Sequence, residues 1–347
     1  METNKNSLIE QIPEKLGNDL FRTVRFNFQF HLWMGFLTGL LGLCLYYYYT
    51  QLREGLGVAG IRDYVSWGIY ISNFVFFVAT SLVGMLISAV VGFSGHKWVI
   101  PMSRIAEIIA VAFAALAGLV IVSDMGRPER LPYVFMYGRF QSPILWDVTV
   151  VTTYFVISLL LLYVTLIPDL SLGKRFIADR PKFLQKAYEF LSLGWKGSSP
   201  EEQALKKAIR VLLILIIPLA LSIHTVTSWL FAFNSRAGWD STIFGPYFVS
   251  GAFVSGVAFL VIAMYFFRQN YKLQEYLTDF HFGKIARLLV LVSLVYLYFN
   301  INEFIVPGHK LKKFEAVHLH EMLVGKDAIL FWGVQIFGLV LPIFRMF

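Results

Sequence analysis

Cysteine is almost absent from the chain: Cys44 is the single one among 347 residues. One thiol cannot close an internal disulfide, form a CxxC zinc site or hold an iron–sulfur cluster, so any such centre working with this chain belongs to a partner. Charge is scarce too. Asp, Glu, Lys and Arg make up 15% of the residues, against roughly a quarter in ordinary soluble domains. With 57% apolar and 17% aromatic residues, that excludes a soluble globular protein. Internal repeats and low-complexity tracts are also missing. The first 29 residues lack the short apolar core and small-residue cleavage site of a signal peptide, so the first apolar segment is expected to stay in the mature chain.

What is present is a series of long apolar runs. A helix needs about 20 apolar residues to cross a bilayer, and such stretches recur at 30–51, 67–92, 102–123, 145–167, 208–232, 245–267, 285–306 and 328–347. They are too long and too evenly apolar for the strands of a membrane barrel, and helices satisfy their own backbone groups in lipid. The expected class is all-α: a polytopic transmembrane bundle of about eight helices, preceded by a cytoplasmic segment, 1–29, with 30–347 forming one domain.

The formal net charge of +8 does not point to nucleic acid, because in a membrane protein the placement of Lys and Arg matters more than their sum. With the amino terminus inside, the inner segments together with the helix ends adjoining them carry 19 of the 30 Lys and Arg residues and the outer loops 10. The amino terminus is therefore expected in the cytoplasm of a bacterium whose inner membrane holds the protein. The basic connection 168–207 then lies inside, with a short amphipathic helix on the membrane surface.

Depth follows from a rise of about 1.5 Å per helical residue. His224 of "LSIHTVTSW" falls in the outer third of its helix, Asn300, Asn302 and Glu303 of "YFNINEF" near the outer boundary, and Asn73 one to two turns below it. Asp124 closes the third helix and Asp147 opens the fourth, both at the outer edge, with Trp239 and Asp240 in the loop before the sixth. Taken singly, the aspartates could be caps or interface residues and Asn73 a bond to a neighbouring helix. Ionisable groups such as His224 and Glu303 are costly in a membrane and usually face a functional cavity. Gathered at one level among aromatics, these side chains suit an amphipathic ring that exchanges protons as well as electrons. At the other end, Glu107 and His31 could begin a proton path from the cytoplasm, or could be snorkelling or interfacial groups.

A haem held within the bundle needs paired axial histidines at matching depth. Only His31 and His224 lie in or beside spanning segments, at opposite levels, and His96, His281, His309, His318 and His320 fall in connections. "HLHE" at 318–321 is too short for a metal site without further ligands. No haem, metal or iron–sulfur cluster is expected in this chain.

The blocks "SDMGRPERL", "SPILWD", "SIHTVTSW" and "GWDSTIFGPYFVSGAFVSG" resemble the NrfD/PsrC family, the polysulfide reductase membrane subunits. The resemblance is to the branch that includes alternative complex III and the multihaem-cytochrome-linked quinone reductase complexes, and it runs from about Trp67 to Pro307. It implies a quinone-binding membrane subunit without redox centres of its own. The implied partners are a ferredoxin-like iron–sulfur subunit on the periplasmic side and a multihaem cytochrome c or molybdopterin-type subunit. Asp124, Arg127 and Pro128 match the first block, Ser142, Pro143, Trp146 and Asp147 the second, and His224, Trp239, Pro246 and Phe248 the later ones. The chain departs from alternative complex III at Leu82, where a histidine is expected, and in having about eight helices rather than ten.

The expected function is thus exchange of electrons between membrane menaquinone or ubiquinone and an iron–sulfur partner, with proton translocation as an extension. His224, Asp124 and Glu303 would relay the protons. Asn73, Arg127, Trp146, Asp147, Trp239 and Asp240 would bind the quinone, with Arg127 paired to Asp124 or Asp147. A secondary transporter or proton channel is the alternative from another class, and a membrane anchor without quinone chemistry the third.

Overall fold

The computed structural model describes residues 27–62, 67–94, 97–178, 180–234, 239 and 241–346. The described residues are helical, joined by turns, and seven of the helices are long and apolar enough to cross a membrane. These are α1 (Phe28–Glu54), α3 (Ile100–Asp124), α4 (Pro143–Phe176), α6 (Ser199–Ala232), α7 (Phe244–Asn270), α8 (Asp279–Lys310) and the carboxy-terminal segment. Between α1 and α3, α2 (Ile69–Ser94) has 26 residues, with the apolar stretch Ile69–Gly84 at its start. Two shorter helices are α5 (Lys182–Leu191) and α9 (Lys313–Leu323). The last segment is unusual: α-helical turns at Ala328–Gly333 and Leu341–Met346 flank seven π-helical residues, Val334–Val340. Such stretches are rare in proteins and often adjoin functional sites. The protein is a multi-pass membrane protein.

Several helices outrun their apolar cores. α4 continues to Phe176 through Pro168, α6 begins at Ser199 and contains Pro218, and α8 runs to Lys310 through Pro307. Beyond the bilayer edge a helix persists in water without an apolar signature, and prolines within spanning helices are tolerated where neighbouring groups re-satisfy the freed carbonyls. The connection expected over 168–207 is accordingly short, with α5 inside it. Exposed Phe183 and Phe190 of α5 lie seven residues apart on one face.

The chain divides into two compact units, Met1–Ser66 with Leu159–Ile214, and Trp67–Ser158 with Leu215–Phe347. In the first, Tyr163 donates to the Leu191 carbonyl and Ser171 to that of Trp195, fixing the connection around α5. Gln51 is the one buried residue of α1.

The second unit is built on α2. An added Cβ on Gly84 would collide with the Ala106 carbonyl oxygen of α3, and one on Gly256 of α7 with Val83 Cγ2. Ala106, Ala110, Ala114 and Ala117 continue the α3 side of this contact, all buried. Lipid offers no hydrophobic force to push helices together, so close backbone approach over small residues supplies the attraction instead. Tyr154 of α4 adds a buried hydrogen bond of 2.8 Å to the Ser81 carbonyl.

Apolar and polar ends are segregated in this unit. Val83, Ile87, Met102, Ile105, Val257, Leu260, Met264, Ile285 and Leu289 form one continuous core. They come from the late part of α2 and α7 and the early part of α3 and α8, hence from one end of helices that alternate in direction. The opposite end carries Asp147, His224, Thr227, Asn300 and Glu303, while Glu107 of α3 is buried at the core end.

Candidate functional site

Helix α6 presents two faces. Leu221, Thr225, Trp229, Ala232 and Phe233 line a cavity of about 700 Å³, mostly apolar, closed by α7 and by Val295 and Phe299 of α8. The other face carries His224, Thr227 and Phe231, spaced by three and four residues and buried. His224 is fully buried, and its Nδ1 lies 2.9 Å from the Ala220 carbonyl. A carbonyl only accepts, so Nδ1 carries the proton, and in the neutral ring Nε2 is left as an acceptor. That atom is buried, and the Val78 backbone of α2 approaches the ring. One turn on, Thr227 Oγ1 donates to Asp147 Oδ1 at 2.5 Å, joining α6 to α4.

Asp147, 3% exposed, lines a cavity of about 160 Å³ together with Asp124, Trp67, Tyr70, Ile71, Phe74, Ile121, Ile144 and Leu230. Asp124 ends α3, where the helix dipole gives no help to a negative charge, and its Oδ1 is buried without a hydrogen-bond partner. An unmatched carboxylate oxygen in apolar surroundings costs free energy until a donor reaches it.

A second polar cavity, of about 290 Å³, is lined by Trp239, Phe244, Tyr247, Glu303, Phe304, Pro307, Glu315, His318, Leu319 and Met322. Glu303 is buried, 7% exposed, and its Oε2 accepts from Ser241 Oγ at 2.7 Å. Between the two polar cavities, Trp67 and Trp239 stack at 5.3 Å, and Phe231 meets both edge-on. Tyr247 also lines a further cavity of about 370 Å³, beside Gln335 and Gly338 of the π-helical stretch. The Tyr247 hydroxyl accepts from Tyr296 at 3.1 Å and from Asn300 at 3.2 Å.

The structure therefore distributes the expected residues over two cavities rather than one. Asp124 and Asp147 share the first, Trp239 and Glu303 the second, and His224 lies in the packed layer beside them. Others are elsewhere. Asn73 is exposed, since Tyr70, Ile71 and Phe74 take the cavity face of α2. Arg127 is exposed in the loop and pairs with neither aspartate. Trp146 donates its Nε1 to the Phe140 carbonyl at 2.5 Å, closing the loop onto the start of α4. Asn302 bonds back to the Tyr298 carbonyl. Asp240 lies outside the described residues. In the early part of α3, Glu107 is buried and ion-paired to Arg104 at 3.0 Å; in the first unit, His31 is exposed on α1 with Nδ1 2.9 Å from the Asn27 carbonyl. Leu82, at the position where a histidine was expected, is fully buried.

Sequence reasoning missed Thr227, Tyr247, Ser241, Glu315 and His318. Thr227 was within reach, since the i, i+3 spacing from His224 puts it on the same helix face. Among the described residues no group of three or more His, Cys, Asp or Glu is placed to hold a metal ion.

A profile of the family described as "Polysulphide reductase, NrfD" matches residues 57–347. A protein of Halobacterium salinarum, named for the membrane component of a dimethyl sulfoxide reductase, is 30% identical over 231 residues, 66% of this chain and 50% of that protein. A component of the selenate reductase of Mesobacillus selenatarsenatis is 25% identical over 304 residues, 85% of this chain and 70% of the relative. The integral membrane subunit of a menaquinone reductase from Nitratidesulfovibrio vulgaris is 31% identical over 146 residues, 40% of this chain and 33% of the relative. The aligned part of the chain thus spans half the length of the first of these.

Proposed function

The chain belongs to the NrfD polysulphide reductase family, and on that premise we propose that it is the membrane subunit of a quinone oxidoreductase complex, taking the quinone ring into the cavity of Asp124 and Asp147. The observation that carries this reading is the buried, unpartnered Oδ1 of Asp124 facing a cavity walled by Trp67, Tyr70 and Phe74. A quinol hydroxyl supplies the missing donor, and the aromatic walls hold the ring. Asp147, oriented by Thr227, is the second carboxylate. His224 offers a proton acceptor at Nε2 one turn from Thr227, so the protons released as a quinol is oxidised have two routes of departure.

Electrons pass between the ring and an iron–sulfur cluster on a ferredoxin-like partner subunit, and onward to a multihaem or molybdopterin-type subunit. The chain itself supplies carboxylates and an imidazole, which move protons and hold no electrons. In this reading the amino terminus is cytoplasmic, the membrane is the bacterial inner membrane, and both polar cavities open toward the periplasm. Menaquinone and ubiquinone both present the carbonyl and hydroxyl groups the cavity addresses. Relatives whose names include selenate reductase and menaquinone reductase support the class of complex.

Photoaffinity labelling is the direct test. A photoreactive quinone analogue added to the assembled complex should label peptides covering 67–74 and 120–124, and unlabelled quinone should compete. Labelling confined to other helices would remove the reading.

A further inference from the structure

We propose that the cavity between α7, α8 and α9 is a proton-exchange vestibule, in which Glu303 passes protons through Glu315 to the exposed His318. The proposal rests on the quinone reading above for the source of the protons.

Helix α9 turns one stripe toward this cavity: Glu315, His318, Leu319 and Met322, spaced as i, i+3, i+4 and i+7. The three ionisable groups form a gradient of exposure. Glu303 is buried at 7%, the Glu315 side chain is 15% exposed, and His318 is exposed. Each also keeps the atoms a relay needs. Glu303 Oε2 is oriented by Ser241 Oγ at 2.7 Å. Glu315 Oε1 lies 3.7 Å from Lys312 Nζ, which leaves Oε2, buried and without a hydrogen-bond partner, to face the cavity. The cavity, at about 290 Å³, has room for several waters between these groups.

The far end of the route is aqueous. Lys310, Lys312 and Lys313 cluster where α8 gives way to α9, and α9 itself, with Glu315, His318, His320 and Glu321 in 11 residues, is too polar for the bilayer interior. The step is a proton transfer alone: a proton released in the quinone cavity passes the Trp67–Trp239 stack to the Glu303 carboxylate, moves to the Glu315 carboxylate, directly or across water, and from there to the His318 imidazole and bulk buffer. Electrons from the quinol leave separately to the partner's cluster, so charge balances, and quinone reduction runs the relay backwards.

The test uses the assembled complex carrying Glu315→Gln together with His318→Asn, with Glu315→Asp as the conservative control. In weakly buffered medium, quinol turnover of the double variant should fall by about 10²-fold, the scale of a lost acid–base group. High concentrations of imidazole or a small carboxylic acid should restore it, while quinone content stays at the wild-type level and Glu315→Asp keeps most activity. Wild-type turnover in weak buffer, or a loss that buffer does not rescue, overturns the vestibule. So does a loss of bound quinone, which would make the cavity a quinone site. Asp124→Asn, assayed in parallel, reports on the quinone reading independently: its failure to slow turnover sinks that reading, whereas buffer rescue scores the vestibule alone.

Discussion

Trp67 and Trp239 stack with ring centroids 5.3 Å apart and planes 18° from parallel, and each lines a different polar cavity. The pair stands where the cavity of the aspartates and that of Glu303 meet. Trp239→Leu should therefore join the two spaces without removing either carboxylate. The expected result is a KM for a soluble quinol analogue raised about tenfold, about 1.4 kcal/mol of binding, at unchanged subunit content. An unchanged KM would mean that the stack serves packing only.

Asp124→Asn keeps the shape of the side chain and removes its basicity. In the assembled complex it should lower quinol turnover by about 10²-fold. His224→Gln should do likewise, and the double variant should lose much less than the product of the two, because residues sharing one step are non-additive. The comparison needs an artificial electron acceptor and equal subunit content. Full turnover in both single variants would move the chemistry elsewhere.

Thr227 orients Asp147 through a hydrogen bond of 2.5 Å. Thr227→Val, nearly isosteric, leaves the buried carboxylate short of a donor, a change worth about 1–3 kcal/mol. A lower melting temperature and slower turnover are expected, with Thr227→Ser recovering both. Equal behaviour of valine and serine would show that the hydroxyl is dispensable.

Gly84 and Gly256 meet neighbouring helices at distances no side chain can share. Gly84→Val or Gly256→Leu should destabilise the bundle by about 1–3 kcal/mol or more, seen as reduced yield of folded protein in detergent. Gly118→Ala, with open space at its Cβ, should be neutral or slightly stabilising.

Topology can be read with impermeant thiol reagents once Cys44 is replaced by serine. Cysteines at Arg139 and Ser198, both exposed, should label from opposite faces of the membrane, the first from the periplasm. Labelling of both from one face would overturn the proposed orientation.

The helices were legible because apolar length is a strong signal, and eight of the expected segments coincide with helices or helical segments. Their ends were not: α4, α6 and α8 continue past their apolar stretches, where hydropathy stops reporting. Rise per residue also put Asp124, Asp147, Glu303 and His224 at one level, and in the structure they lie toward the same end of their helices. Rotation about each helix axis was not. An all-round apolar helix such as α2 gives no clue to which face meets its neighbours, so Asn73 fell outside the cavity that Tyr70 and Phe74 line. Arg127 was misjudged for a related reason, because a loop side chain's direction depends on turns that composition does not encode.

The contact of α2 with α3 and α7 through Gly84, Ala106 and Gly256 has a calorimetric consequence. Pulling these helices apart inside a bilayer exposes them to hydrocarbon, not to water, so the large heat-capacity increment that accompanies unfolding of soluble domains has no source here. Free energy of separation should then fall almost linearly with temperature, without the curvature that produces cold denaturation. A bundle held this way should keep its helix packing on chilling and yield chiefly to heat or to detergents that compete for the same close-packed faces.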